Sequence, residues 1–283
     1  MPTPFLIRTA QLLILLAAGL LGGCSWSGPT ATSRTSAAAG DPSAPSQVTP
    51  AEALAIAERY SSHSWKPFAR NILHGSDPAG IRVDTPDVGY QPRSGRRGWW
   101  VPGEVNSGIP YKWGGFDDPG SFDRAIAAGL AAGDVSTPAK RLADNAAVSR
   151  AAAGVDCSGF VSRCLKLPAA YDSSQLPSIC DVLPTTDLLA PGDLLNIPRQ
   201  HVLLFAGWAR PDRSWIYFYE TGGVPDWKPA LKQAPLDKLM ALGYQPLRYR
   251  GMAGQALPAG KEILTRSIRQ RAISIPEPGI GDP

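Results

Sequence analysis

Residues 154–160 read GVDCSGF, and the run that follows, FVSRCLKL over 160–167, is apolar at roughly helical spacing. The pattern predicts a loop ending at Asp156 and a helix from Cys157 to about Leu167, stopped by Pro168. A thiol at a helix start meets the positive end of the macrodipole, which favours the thiolate, and the thiolate is the nucleophilic form. The alternative is a small buried side chain, because free cysteine is among the most buried residue types. The segments on either side weigh between the two.

Upstream, Gly108-Ile109-Pro110-Tyr111-Lys112-Trp113-Gly114-Gly115 packs aromatic residues between glycines, so backbone must approach something closely there. The plainer reading is a turn with two core aromatics. About forty residues separate this motif from Cys157, polar and alanine-rich, with helical patches at 122–132 and 138–153. Downstream, Leu189-Ala190-Pro191-Gly192-Asp193-Leu194-Leu195 reads as a turn feeding a strand. A strongly apolar strand, HVLLFAGW over 201–208, begins with His201. A second strand over 215–221 carries Glu220. If residues 209–212 form the hairpin loop, Trp208 faces Arg213 and His201 faces Glu220. Cross-strand partners share a face with Cβ atoms about 4.5–5.5 Å apart, whereas a slip of one residue turns Glu220 to the other face. A short helix near 236–242 and a last strand over 244–250 complete the pattern.

Composition sets the bounds. The chain has 283 residues and a net charge of +4, with no Lys/Arg block longer than a pair. That mild basicity suits an anionic envelope surface and gives no case for nucleic acid. With both ends set aside, roughly 200 residues remain for one core. Only 3 histidines are present, so His63 and His74 are the sole competitors of His201 for base chemistry.

Residues 1–24 read as an export signal: Arg8, then an apolar stretch over 12–21 too short to span a bilayer. It ends in Leu21-Gly22-Gly23-Cys24, which resembles a bacterial lipobox and makes Cys24 the lipidated residue; an ordinary signal peptide is the alternative. Each acyl chain would contribute about 0.8 kcal/mol per buried CH₂. Ser25 rather than Asp follows, which leans towards the outer membrane where the cell has one. Residues 25–49 are Ser, Ala, Pro, Thr and Gly with few large apolar groups, a flexible linker. Thr49-Pro50-Ala51-Glu52 opens a helix with a capping box. Residues 50–99 form a helical and loop-rich extension, 100–254 the main domain, and 255–283 a proline-containing tail with a helical stretch expected at 261–271. Beyond Cys24, an odd three cysteines point to one free thiol and one pair; Cys164 with Cys180 is the pairing expected, leaving Cys157 free. The spacings do not resemble a zinc site.

A cysteine at a helix start, a histidine at a strand start and an acid one strand later make a nucleophilic triad of Cys157, His201 and Glu220. In order and motif the chain resembles the NlpC-type cell-wall cysteine peptidases, a branch of the papain-like fold. The matching pieces are IPYKWGG at 109–115, DCSGF at 156–160, LAPGDLL at 189–195 and HVLLFAGW at 201–208. The resemblance covers about 100–250 and implies an α+β papain-like fold, with the nucleophile helix packed on a central antiparallel sheet. It implies hydrolysis of amide bonds in peptidoglycan stem peptides, often between D-glutamate and a diamino acid, with no metal or cofactor. It gives Cys157 the nucleophile's position, His201 the base's and Glu220 the third polar one. Tyr111 becomes the tyrosine near thiolate and oxyanion, and Asp156 and Ser158 the pair that meets the substrate's free amine in some members; Trp113 of the same motif joins the substrate-binding set. Two departures stand out: the long insertion at 116–153, and Glu where His is commonest. The expected partners are a stem peptide and, through the lipid anchor, a membrane; no envelope protein partner is identified. Two other readings stay open, a non-catalytic envelope binding lipoprotein and an acyltransferase on the same fold.

Overall fold

The computed structural model describes residues 47–92, 97–222 and 226–254. The export signal with Cys24, nearly all of the linker, and the tail with its expected helix lie outside the described residues. The described part is α+β, built on one six-stranded sheet. Its strands are β1 (Cys180–Val182), β2 (Leu194–Ile197), β3 (His201–Trp208), β4 (Trp215–Glu220), β5 (Ala230–Pro235) and β6 (Gln245–Tyr249). The spatial order is β5-β4-β3-β2-β6-β1, with every pairing antiparallel. Strands β2 to β5 follow one another as neighbours, and β6 returns to the far side of β2.

Alternation along β3 and β4 gives each face its own core. Val202, Leu204, Ala206 and Tyr219 pack with α1 (Pro50–Ser62) and α4 (Cys157–Cys164), through Leu54, Ala57, Tyr60, Phe160 and Val161. Leu203, Phe205, Ile216 and Phe218 pack on the other face with Leu236 and Leu239 of α5 (Leu236–Ala241). The insertion supplies α2 (Pro119–Ala127) and α3 (Pro138–Ala143), both shorter than the helical patches expected.

Local signals explain the helix ends. In α1 the Thr49 hydroxyl accepts from the Glu52 N–H at 3.2 Å, and the Glu52 carboxylate accepts from the Thr49 N–H at 2.8 Å. The capping box is as the sequence implied, and such a cap contributes about 1 kcal/mol. The helix that opens with Cys157 starts where expected but stops three residues early, at Cys164. The Leu167 N–H bonds the Ser162 carbonyl and the Lys166 N–H bonds the Arg163 carbonyl, with Lys166 at φ 57°. This is a Schellman stop, with lysine in the left-handed position that glycine usually fills.

The hairpin register also differs from expectation. Six residues, 209–214, separate β3 from β4, and Trp208 faces Ile216 rather than Arg213. A bulge then leaves Ala206 without a partner: Gly207 pairs with Tyr217 while Phe205 pairs with Phe218. The expected Cys164–Cys180 disulfide is corrected as well. Both are free thiols buried in the main core, each serving as a small apolar side chain. Burial pushes the Cys180 thiol up to about 12 and raises Cys164 well above the ordinary thiol range.

Candidate active site

Asp156 is the N-cap of the nucleophile helix, and its Oδ1 accepts from the Gly159 N–H at 2.6 Å. That fixes the chain's entry angle and leaves Cys157, half-buried, as the first helical residue. The first N–H groups of an α-helix have no intrahelical partner, so donors are concentrated at this end. The glycines of the 108–115 motif meet their purpose here. A Cβ on Gly159 would lie 2.0 Å from the Gly115 carbonyl oxygen, and one on Gly115 would lie 2.5 Å from the Gly154 oxygen. Only bare backbone on both sides lets the loop lie along the start of α4, where Asp156 N–H bonds Gly115 O at 3.1 Å.

His201 opens β3, and its imidazole touches both other members of the triad. Nε2 sits 2.5 Å from Glu220 Oε2, and the ring is also hydrogen-bonded to the Cys157 thiol, which leaves Nδ1 for the sulfur. Burial alone would strip the charge from this ring, yet the hydrogen bonds and charges of Cys157 and Glu220 prevail and push His201 up to about 10. Glu220 closes β4. Burial raises its carboxyl, but His201 and Lys232 outweigh that and hold it down at about 2. Its second oxygen is taken by Lys232 Nζ at 2.6 Å, and Lys232 in turn meets Asp226 at 2.8 Å.

Glu220 therefore reaches His201 despite the register difference, and the bulge is the reason. Beyond it Tyr219 faces Leu204, so Glu220 lies opposite Leu203, two residues from His201 and on the same face. Had the ladder run on from Trp208 without a bulge, Glu220 would oppose Leu204 and point the other way.

A cleft of about 460 Å³ brings together Tyr111, Trp113, Asp156, Cys157, Ser158 and His201, with Glu220 behind the histidine. Tyr111 is buried, its ring edge-on to Trp227 at 6.0 Å. Burial, then the charges of Cys157 and Asp156, raise its phenol well above the usual range, so it stays a donor. The Trp113 indole N–H donates to the Asp144 carbonyl at 3.1 Å, tying the motif to the insertion. The Ser158 hydroxyl donates to Asp156 Oδ1 at 3.1 Å; burial raises the Asp156 carboxyl in spite of these donors. His63 pairs with Asp123 at 2.8 Å and His74 with Asp87 at 2.9 Å, and neither lines the cleft.

Sequence reasoning missed Lys232, because β5 (ALKQAP) carries too little apolar alternation to be read as a strand. An insertion that long could shape the cleft, but the sequence did not single out the residues with which it does so, Ser136, Arg141, Asp144, Asn145 and Val148, nor Arg199 in the same lining. A long insertion between two halves of one motif was the only signal. Compared with known proteins, the chain matches no family model, no curated protein and no solved structure.

Proposed function

We propose that this chain is an NlpC-type cysteine hydrolase on a papain-like fold, which cleaves amide bonds in peptidoglycan stem peptides at the cell envelope. The observation that carries the reading is the chain of contacts from the Cys157 thiol at a helix start, through His201, to Glu220, open to a cleft of about 460 Å³.

The chemistry is acyl transfer in two halves. His201 takes the thiol proton, and Cys157 sulfur attacks the amide carbonyl. The developing oxyanion meets the Cys157 N–H, with the neutral Tyr111 phenol as a second donor. His201, now an imidazolium held by Glu220, protonates the leaving amine as the C–N bond breaks, and a thioester remains. Water then attacks the thioester, giving its proton to His201, and the acid and free thiol are released. Tyr111, Trp113, Asp156 and Ser158 bind the peptide around that centre.

The test is digestion of purified peptidoglycan and soluble stem peptides by the protein from Ser25 onward, read by mass spectrometry beside Cys157→Ala. Cleavage present in the wild type and absent in the variant is the expected result. No cleavage together with a thiol that resists alkylation would replace this reading with a non-catalytic binding lipoprotein. New adducts formed with added amines would make the enzyme a transferase.

A further inference from the structure

The cleft holds two guanidinium groups with no partner among the described residues. Arg141 comes from the insertion, on α3, and Arg199 from the turn that delivers His201. Neither guanidinium makes a hydrogen bond or ion pair among the described residues, although Asp144 and Asp172 line the same cleft. Two of the three carboxylates present have other tasks. Asp156 Oδ1 caps the nucleophile helix, and Asp172 Oδ1 accepts from the Ser174 N–H at 2.7 Å and the Gln175 N–H at 2.9 Å.

Each arginine carries a further sign of purpose. Arg199 sits at φ 63°, a left-handed conformation that costs a side-chain-bearing residue and that turns usually give to Gly or Asn. Glycine there would relieve the strain but would leave this side of the cleft without its cation. Arg141 lines the same cleft as Tyr111, the residue proposed to meet the oxyanion. Arg199 is two residues from the histidine that protonates the leaving nitrogen. An unpaired, planar guanidinium is the group best matched to a carboxylate, through two parallel charged hydrogen bonds.

We infer that Arg141 and Arg199 are carboxylate-recognition residues of the cleft, and that the substrate is a peptide bearing a free carboxylate on each side of the cleaved amide. Each arginine reads one of these carboxylates. This rests on the hydrolase reading of the cleft and narrows it: peptides in which those carboxylates are capped as amides are poor ligands.

Binding separates this inference from the hydrolase reading. The Cys157→Ala protein is titrated calorimetrically, at low salt, with a soluble stem tripeptide carrying both carboxylates and with the same peptide amidated at one or both. The expected result is at least about tenfold tighter binding of the doubly charged peptide, with the preference for each carboxylate erased by its own variant, Arg141→Gln or Arg199→Gln. Both side chains are at the cleft surface, and thermal unfolding of each variant checks that the fold is intact. Equal affinity for charged and amidated peptides, no binding of either, or a preference that survives the double variant would each overturn the inference. Cleavage by the wild type without a carboxylate preference would keep the hydrolase and remove the arginine role. A preference without cleavage would do the reverse.

Discussion

At the scale of single residues, the imidazole of His201 governs the pH behaviour. With its pKa pushed to about 10, the ring keeps its proton until the solution approaches that pH, and the rate should fall as pH rises through it. Replacing Glu220 with Gln removes one of the two groups that raise the ring. The alkaline limit should move down towards the ordinary histidine range of about 6.5, and kcat/KM should drop about 10²-fold or more. A pH–rate profile with NMR titration of His201 reads both; an unmoved limit would refute the role of Glu220. The pair also links to stability. The raised His201 gives stability that is whole below the unfolded histidine's pKa and lost as pH rises towards about 10. The lowered Glu220 gives stability present above the ordinary carboxylate range and lost as pH falls towards about 2. Gly222 supports Tyr111 from the far side: at φ 92°, a Cβ there would lie 2.4 Å from the tyrosine ring. Gly222→Ala should cost about 1–2 kcal/mol through backbone strain and displace the phenol. Thermal unfolding and kcat together check this, and a variant with wild-type values of both would contradict it.

At the scale of elements, the bulge in β3 sets which way Glu220 faces. Deleting Ala206 should restore a straight ladder while keeping Phe205 on Phe218 and Leu204 on Tyr219, so Glu220 should stay on the face of His201 and activity should largely survive. A deletion variant that folds but loses as much activity as Glu220→Gln would show that the pairing beyond the bulge is not what aims the carboxylate. This is also where the sequence was partly legible. The start of β3 at His201, the helix start at Cys157 and the Thr49 capping box could be read, because each rests on local signals within a turn or two. The bulge could not, since nothing in AGW (206–208) announces an unpaired residue. The expected pairing of His201 with Glu220 thus holds at the side chains through a register different from the one derived. The Lys166 stop was hidden because a lysine occupies a position where glycine is the usual signal. Replacing it with glycine should relieve about 1 kcal/mol of left-handed strain. Against that stands the exposed Lys166–Glu52 ion pair, which solvent screens. A small net rise in Tm is expected, and a fall would mean that the ion pair outweighs the backbone.

At the scale of the whole molecule, the insertion is bound in as a wall of the cleft. Lys140 anchors it: Nζ donates to Asp134 Oδ2 at 2.7 Å, to the Arg82 carbonyl at 2.6 Å and to the Ala147 carbonyl at 3.2 Å. Lysine and aspartate are 4% and 0% exposed, so the pair lies out of water. Removing one partner of a buried pair costs about 3–5 kcal/mol. Here the loss should fall near the lower end, because burial already pushes the Asp134 carboxyl up to about 6 and it can take a proton. Lys140→Met should therefore lower stability by about 3 kcal/mol and raise KM more than it lowers kcat, since the wall it holds carries Arg141. Denaturant unfolding and steady-state kinetics check the two halves, and equal effects on KM and kcat would count against the wall's role in binding. Such long-range ties, like the Lys232 bond to Glu220, are beyond a reading of local pattern, because they join segments that only the finished fold brings together.

One seam closes the domain: Val48 and Met252 form a parallel bridge, with Val48 N–H on the Gly251 carbonyl at 3.1 Å and Ala253 N–H on the Val48 carbonyl at 2.8 Å. The two ends of the described domain are thereby knotted at one point. A force applied to residue 47 is borne first by these two bonds, before it reaches α1 or the sheet. Mechanical load on the leading end would open this latch like a zip and release the trailing end with it, while the triad, held by other strands, stays assembled.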